Sequence, residues 1–483
     1  MKTSKTPGIS RFFGSRTTIC CSGAPEDTDR SGRLSKVVTL GLFLASVLFV
    51  PLSAQALNIY HVRAGATGNN NGADWTNAYA ALPTTFLRDS VYYIADGTYS
   101  GRTFSTATSG TALITIKKAT VADHGTSTGW SNTYGDGQAV FNGMFDFTSS
   151  YWVIDGQTGG GAGSWNTGFG FKIVEIGDSS AIIRIAYSGT ANNITIRHVD
   201  LQGKGSVSNQ GGYYSNDGIS IYNSASNTTL SYAWLHGIGR CPVFIIGSQN
   251  TIFEHLYVSS YFGSSSTHSE VMSSGQGTMG DVTWRYSLIT DIQSTGGLMW
   301  DNNTNPSAHL YVYGNVFYKP AAANWEQANG VIGGWTGGNG EQFRNVWVLN
   351  NTFINVDQQT LSTFPNVYSG NIAINNIFYN SQSPDFSKFG THNYNHFINA
   401  GGTHSEANAT SDASGGDPFV DYVNLDFRLK TPTTAGTSYP TPYNLDPAGT
   451  TRGSDGAWDR GAFEFGNNPI ATLIPPTNVK IIP

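Results

Sequence analysis

Residues 309–319 read HLYVYGNVFYK, residues 345–355 read NVWVLNNTFIN, and residues 371–380 read NIAINNIFYN. Apolar and polar residues alternate over the first four or five positions of each, the period of a half-buried strand. A Gly-Asn or Asn-Asn pair follows, then a second short apolar run. The same unit recurs upstream as ITIRHVDL after Asn193, LSYAWLHG after Thr229, IFEHLYVSS from Ile252 and VTWRYSLITD after Asp281. The first aliphatic residues of the copies are Ile194, Leu230, Ile252, Val282, Leu310, Val346 and Ile372, at intervals of 22 to 36 residues. A strand-based repeat with variable insertions at that interval marks a solenoid.

A further strand precedes most copies. These strands are GISIYNS after Asp217, VFIIGS after Pro242, VMSSG after Glu270, LMWDNN after Gly297 and GVIGGW after Asn329. Each turn therefore holds at least two short strands joined by polar bends, which predicts a parallel β-helix with like residues stacked along one axis. Asn315, Asn350, Asn351, Asn375 and Asn376 fall where strands meet bends. They read as ladder residues that bond successive turns rather than as ligands.

The composition fits this design. Only 12% of the 483 residues are charged, while 58 are Gly and 13% are aromatic. Stacked like charges would repel; stacked amides and hydroxyls do not. The aromatic content excludes a disordered chain, and the absence of heptads excludes a coiled coil. A formal charge of −6 speaks against a partner bound by phosphate neutralisation, so no nucleic acid is expected.

Residues 37–50 (VVTLGLFLASVLFV) form an apolar run behind Arg33 and Lys36, followed by Ala54-Gln55-Ala56. This is the pattern of a signal peptide over 1–56, cut after Ala56; the run is short for a bilayer span. Export to the periplasm or the medium is expected. Without residues 1–56 the chain keeps 19 basic and 29 acidic residues, net −10, and Cys241 as its one cysteine. An internal disulfide is then impossible, and core packing and backbone hydrogen bonds must hold the fold. Residues 57–465 are expected to form one β-helix domain with atypical ends, and 466–483 a flexible Pro-rich tail.

Four features together resemble the right-handed parallel β-helix superfamily of secreted bacterial proteins, with its pectate-lyase-like and other polysaccharide-lyase-like enzymes. They are Val62–Trp75 (VRAGATGNNNGADW), Ala95–Gly101 (ADGTYSG), the repeated Asn-led turns, and Asp459–Glu464 (DRGAFE). The resemblance spans nearly all of 57–465 and implies an all-β, right-handed parallel β-helix with capping ends. It is weak for activity, because one fold hosts many chemistries. The Asn-x-Asp-Gly of polygalacturonases is only echoed at Asn216-Asp217-Gly218, and their paired Asp-Asp and Gly-His-Gly segments are missing.

Three long bends, Lys204–Asn216, Tyr261–Thr267 and Pro320–Ala328, occupy the same place in their turns. They should project from one side and wall a groove, where function concentrates. Aligning the preceding strands puts Asp217, Pro242, Glu270, Gly297 and Asn329 at equivalent positions. Asp217 and Glu270 are then two turns apart, roughly 10 Å between backbones. Arg240, Cys241, His236 and His268 lie beside them, the densest titratable set in a chain poor in charge. In a lyase reading the substrate is a uronate polymer. Arg240, Lys204 or a Ca²⁺ ion held by Asp217 and Glu270 neutralises its carboxylate, and His268 or Lys204 takes the proton. In a hydrolase reading Asp217 and Glu270 are acid and base. A third reading makes the protein a non-catalytic glycan-binding solenoid, with Asp217 and Glu270 capping bends and Arg240 in an ion pair. Trp300, Asp301, Trp325 and Glu326 extend the groove as sugar-binding positions. A polysaccharide is the expected partner and a monomer the expected state.

Overall fold

The structure, a computed structural model, describes residues 57–466 apart from 176, 178–180, 205–216, 262–268, 276, 293–295, 322–329, 335–341, 362–366, 383 and 403. The signal peptide expected over 1–56 and all but the first residue of the tail expected over 466–483 lie outside the described residues. The rest belongs to one unit, Ala56–Pro483. Among the described residues no helix is long and apolar enough to cross a membrane.

The chain winds as an all-β parallel coil, and each full turn contributes to three stacks of strands. The first stack joins Ala181–Ile185, 217–222, 243–248, Glu270–Ser274, Gly296–Met299 and Ile332–Gly333. The second runs from Asn58–Val62 through 194–197, 228–231 and 251–254 to Thr391–Asn393. The third carries the short apolar runs that close each repeat, among them Tyr257–Val258, Val316–Tyr318, Ile377–Tyr379 and His396–Ile398. Every pairing in these stacks is parallel, and the register holds apart from bulges after Tyr222 and Ser100, so the seven copies read from sequence become neighbouring rungs.

Register turns the sequence alternation into columns. Ile196, Leu230, Phe253, Trp284, Val312 and Val348 follow one another through the second stack, all fully buried. In the third stack Phe317, Phe353, Phe378 and Phe397 stack face to face, with ring centroids 4.9–5.3 Å apart and planes within 9°. Aromatic rings on one column gain such contacts because the turn spacing, ~4.8 Å, is close to a stacking distance.

The bend asparagines form the ladder read from sequence. The Asn315 N–H donates to Asn351 Oδ1 (3.0 Å), Asn351 N–H to Asn376 Oδ1 (2.9 Å), and Asn376 N–H to Asn395 Oδ1 (2.9 Å). Their side-chain amides donate in the same direction or to strand carbonyls. Glu406 ends the series, accepting from the Asn395 N–H (2.9 Å) and Nδ2 (3.1 Å) and contacting His392 Nδ1 (2.9 Å). Other bend asparagines, Asn193, Asn227, Asn250 and Asn345, take φ of +54 to +56°, the left-handed conformation that asparagine tolerates best after glycine.

The C-terminal segment folds back along the coil. Asp459 accepts from the backbone N–H of Thr433 (2.6 Å) and Phe465 (2.8 Å), while Glu464 accepts from Asp459 N–H (3.0 Å). Ala462 N–H reaches Thr352 Oγ1 (2.8 Å) and Gly461 N–H reaches Asn375 O (2.7 Å). Gly461 has φ +87°, and a Cβ there would lie 2.6 Å from Ile377 Cδ1. The Asp459–Glu464 motif is thus a cap docked on the coil, as its place in the sequence suggests.

Candidate functional site

The first stack positions the candidate site. Its register pairs Asp217 with Ala181, Ile219 with Val243, Val243 with Met272, and Glu270 with Gly296. Asp217, Cys241, Glu270 and Gly296 therefore share one corner of successive turns. The sequence alignment placed Asp217 and Glu270 correctly and set Pro242 and Gly297 one residue late. In the sequence, 205–216 directly precede Asp217, 262–268 come just before Glu270, and Arg240 directly precedes Cys241.

Asp217 is fully buried, and its carboxylate is fully engaged. Arg240 donates Nε to Oδ1 (2.7 Å) and Nη2 to Oδ2; Ser220 Oγ donates to Oδ2 (2.8 Å) and Cys241 N–H to Oδ1 (3.3 Å). Burial pushes the Asp217 carboxyl up, and the contacts from Arg240 and Ser220 pull it back. Burial acts on Arg240 in the opposite sense, but the hydrogen bonds and charge of Asp217 outweigh it and raise the guanidinium. A fork-to-fork pair of this kind fixes direction as well as energy. Arg240 also lies over the Phe244 ring, 4.1 Å from its centroid, and Nη1 makes no hydrogen bond among the described residues.

Cys241 separates the two acids. Its Sγ lies 3.6 Å from Glu270 Oε2, and burial, with the charges of Glu270 and Asp217, holds the thiol well above its ordinary value. A thiol kept protonated in a closed site is inert. Glu270 is fully buried as well.

Outward from this corner the same sheet presents a surface that sequence reasoning did not find. Arg184 donates Nε to Asp146 Oδ1 (3.1 Å) and Nη2 to Oδ2 (2.8 Å) and lies 4.5 Å from the Tyr187 ring centroid. Tyr187 is 56% exposed. Its ring meets Tyr222 edge-on at 5.1 Å, and Tyr222 meets Phe244 at 6.3 Å. The contacts run without a break from Arg184 through three aromatic rings to Arg240. Arg184, Tyr222 and Phe244 occupy polar-side positions of strands that read as continuous apolar core; counting alternate residues outward from Ile183, Ile221 and Val243 exposes them.

The other positions named from sequence divide sharply. His236 contacts Asp200 Oδ1 (2.7 Å), which Lys172 also holds (3.1 Å to Oδ2), and stacks on Trp234 at 3.6 Å. It belongs to the third stack, away from the Asp217 corner. Trp300 is a correction. It is fully buried and donates Nε1 to Arg344 O (3.1 Å), so it offers no face to a sugar. Asp301 is buried too and caps a bend, accepting from Asn303 and Gln342 N–H (2.9 Å each). Lys204 lies two residues past the strand that ends at Gln202 and is half-buried. His268, Trp325 and Glu326 lie outside the described residues.

Among the described residues no three His, Cys, Asp or Glu side chains converge as a metal site. A cation at Asp217 would have to displace Arg240, Ser220 and the Cys241 N–H from the oxygens they hold; the donor set does not fit calcium, and no step below is routed through it. A cavity of about 450 Å³ opens far from this corner, between Phe386, His392, Phe397, His404 and Glu406. Its Glu406 and His392 are accounted for by the end of the asparagine ladder.

No family model and no curated protein matches the chain. Solved structures do. The chain is similar to the pectate lyase Pel9A at 13% identity, covering 85% of this chain and 97% of that one, with a TM-score of 0.46. It is similar to the PL6 family alginate lyase AlyGC at 11% identity, covering 73% and 53%, with a TM-score of 0.32. It also resembles the PL6 family polysaccharide lyase Pedsa3628 from Pseudopedobacter saltans, at 12% identity over 71% and 92%, with a TM-score of 0.29. These likenesses do not reach the chemistry of the site.

Proposed function

We propose that the protein is a secreted, monomeric polysaccharide lyase that takes an acidic, uronate-containing glycan on the outer face of the first stack. One observation carries the reading: Arg240 is clamped from behind by a buried carboxylate and presented over Phe244 beside Tyr222. β-Elimination requires a fixed cation on the uronate carboxylate, which makes the neighbouring C–H acidic, and a base for that proton. Arg240 supplies the cation without dependence on pH. Lys204 and His268, the candidates read from the sequence, are the bases to test. The hydrolase alternative needs Asp217 and Glu270 to face solvent and exchange protons, and both are sealed in the corner.

The test is a screen of the purified chain on alginate, pectate, glucuronan, xylan and neutral glucan, reading unsaturated-uronate absorbance and reducing ends together. Both signals should rise on a uronate polymer, and Arg240→Ala should lower kcat/KM by roughly 10²–10³-fold. Reducing ends rising alone would replace the lyase by a hydrolase. Binding of acidic glycan without cleavage would make the protein a glycan-binding solenoid.

A further inference from the structure

The cavity beside Glu406 lies where the core of the coil ends. Two apolar columns reach it, and both finish on an imidazole. Val348 pairs with Ala373 and Ala373 with His392, so His392 takes the position that two fully buried aliphatic residues hold in the preceding turns. The phenylalanine column of the third stack passes through Phe397 to His404, whose ring lies flat on Phe397 at 3.7 Å with the planes 1° apart. His392 lies almost as flat on Phe386, at 4.6 Å and 7°. A core column that merely stops needs an apolar cap. Polar rings at core positions break the pattern of the fold, and such breaks concentrate at functional sites.

The asparagine ladder explains only part of this wall. Both oxygens of Glu406 are held by Asn395 and His392. The hydroxyls of Ser387 and Ser405, the carboxylate of Asp385 and the imidazole of His404 also line the cavity, and the ladder does not use them. Asp385 Oδ1 accepts from Ser387 N–H (2.7 Å), while Oδ2 has no partner among the described residues. His404 Nε2 is buried and likewise has no partner among the described residues, a hydrogen bond left unmet. Burial holds the His404 imidazole below its ordinary pKa, so the ring is neutral at pH 7. The volume, about 450 Å³, is that of a small-molecule site.

These groups discriminate by charge. The acids on the wall are Asp385 and Glu406, and the neutral His404 does not offset them, so an anion is repelled. A cation finds one open carboxylate oxygen, on Asp385, because those of Glu406 are taken. A neutral polyol is matched throughout: a carboxylate oxygen and two hydroxyls meet its OH groups, and flat rings meet its C–H face.

We infer that this cavity binds one neutral sugar unit at the C-terminal end of the coil, with Asp385 and Ser405 holding its hydroxyls and His404, backed by Phe397, carrying its apolar face. The site is separate from the Arg240 surface and takes no part in cleavage. It tethers the protein to uncharged glycan, and it does not depend on the acidic-glycan reading proposed above.

Calorimetric titration of the purified chain tests it, with methyl glycosides of glucose, galactose, mannose and xylose, methyl glucuronide, and methylamine as probes. One or more neutral glycosides should bind in the millimolar range, about tenfold more tightly than the glucuronide. Asp385→Asn keeps the Oδ1 acceptor but removes the charge, and should weaken the neutral sugar about tenfold, the range of one charge-assisted contact. Ser405→Trp, at an exposed position, should fill the cavity and abolish binding with far-ultraviolet circular dichroism unchanged. If that variant misfolds, Ser387→Trp, also exposed, takes its place. Arg240→Gln should leave the affinity unchanged. Absence of binding by every neutral glycoside, a preference for the glucuronide, or an affinity indifferent to both Asp385→Asn and the tryptophan variant would overturn the site. Methylamine bound in place of sugar would make it a cation site and overturn the sugar assignment. None of these outcomes bears on the lyase reading, which stands or falls on the activity screen.

Discussion

His255 shows what a single residue can do in this fold. It lies between Tyr232 and Tyr286, with ring centroids 4.4 and 5.3 Å away, at φ +52° like its two neighbours at +49 and +56°. Burial lowers its pKa from 6.5 to about 3, with help from the charges of Arg285 and His198. The folded chain therefore keeps this imidazole neutral where the unfolded chain protonates it. The stability it contributes is fully present above pH 6.5 and drains away as pH falls toward 3, by on the order of 5 kcal/mol in all. His255→Tyr should extend the tyrosine column and flatten the acid limb of a urea-unfolding series measured from pH 7 to 4. At this scale the sequence was least legible. The alternation placed Asp217 and Glu270 on one corner, but no pattern in one strand names the arginine from the next bend that will clamp an aspartate. Trp300 misled for the same reason: a tryptophan next to an aspartate reads as a sugar platform until register turns its ring inward.

At the scale of the element, the amide ladder and the phenylalanine column run side by side through the same turns and differ in what they tolerate. Asn376 accepts from Asn351 N–H and Nδ2 (2.9 and 3.2 Å) and donates to Val348 O and Asn395 Oδ1. Asn376→Ala leaves buried donors on one turn and a buried carbonyl on another, which should cost roughly 3–5 kcal/mol. Phe378→Leu, one rung of the ring column, keeps an apolar filling and should cost only about 1–2 kcal/mol. Equilibrium urea unfolding of the two variants separates these. The ladder was readable from sequence because its asparagines recur at fixed offsets from each strand. The third stack was less so, since its members are runs of two or three residues, too short for a period to show.

At the scale of the whole molecule, each turn touches only its neighbours, and stability is close to a sum of local terms. The C-terminal segment breaks that rule by tying Asp459–Glu464 to Thr352, Asn375 and Asn395, up to 110 residues away. Gly461→Val forces a side chain onto Ile377 at a positive φ and should undock the cap. Hydrogen exchange followed by mass spectrometry should then show faster exchange in peptides from 350 to 412 and unchanged protection in 90–235. Loss of protection spread evenly over the coil would mean that the turns are not independent. The coil itself was legible early, because a repeat writes the same rule many times and one bad copy does not hide it.

The way the ladder ends sets a limit on how long this molecule can become. Every asparagine in it both gives and receives, so a turn can be inserted or lost among them and the series closes up. Glu406 only receives. A turn added beyond Glu406 would meet a carboxylate where it needs a donor. Repeat number is thus free to vary upstream of Glu406 and fixed beyond it, which tells an engineer lengthening the scaffold where to cut.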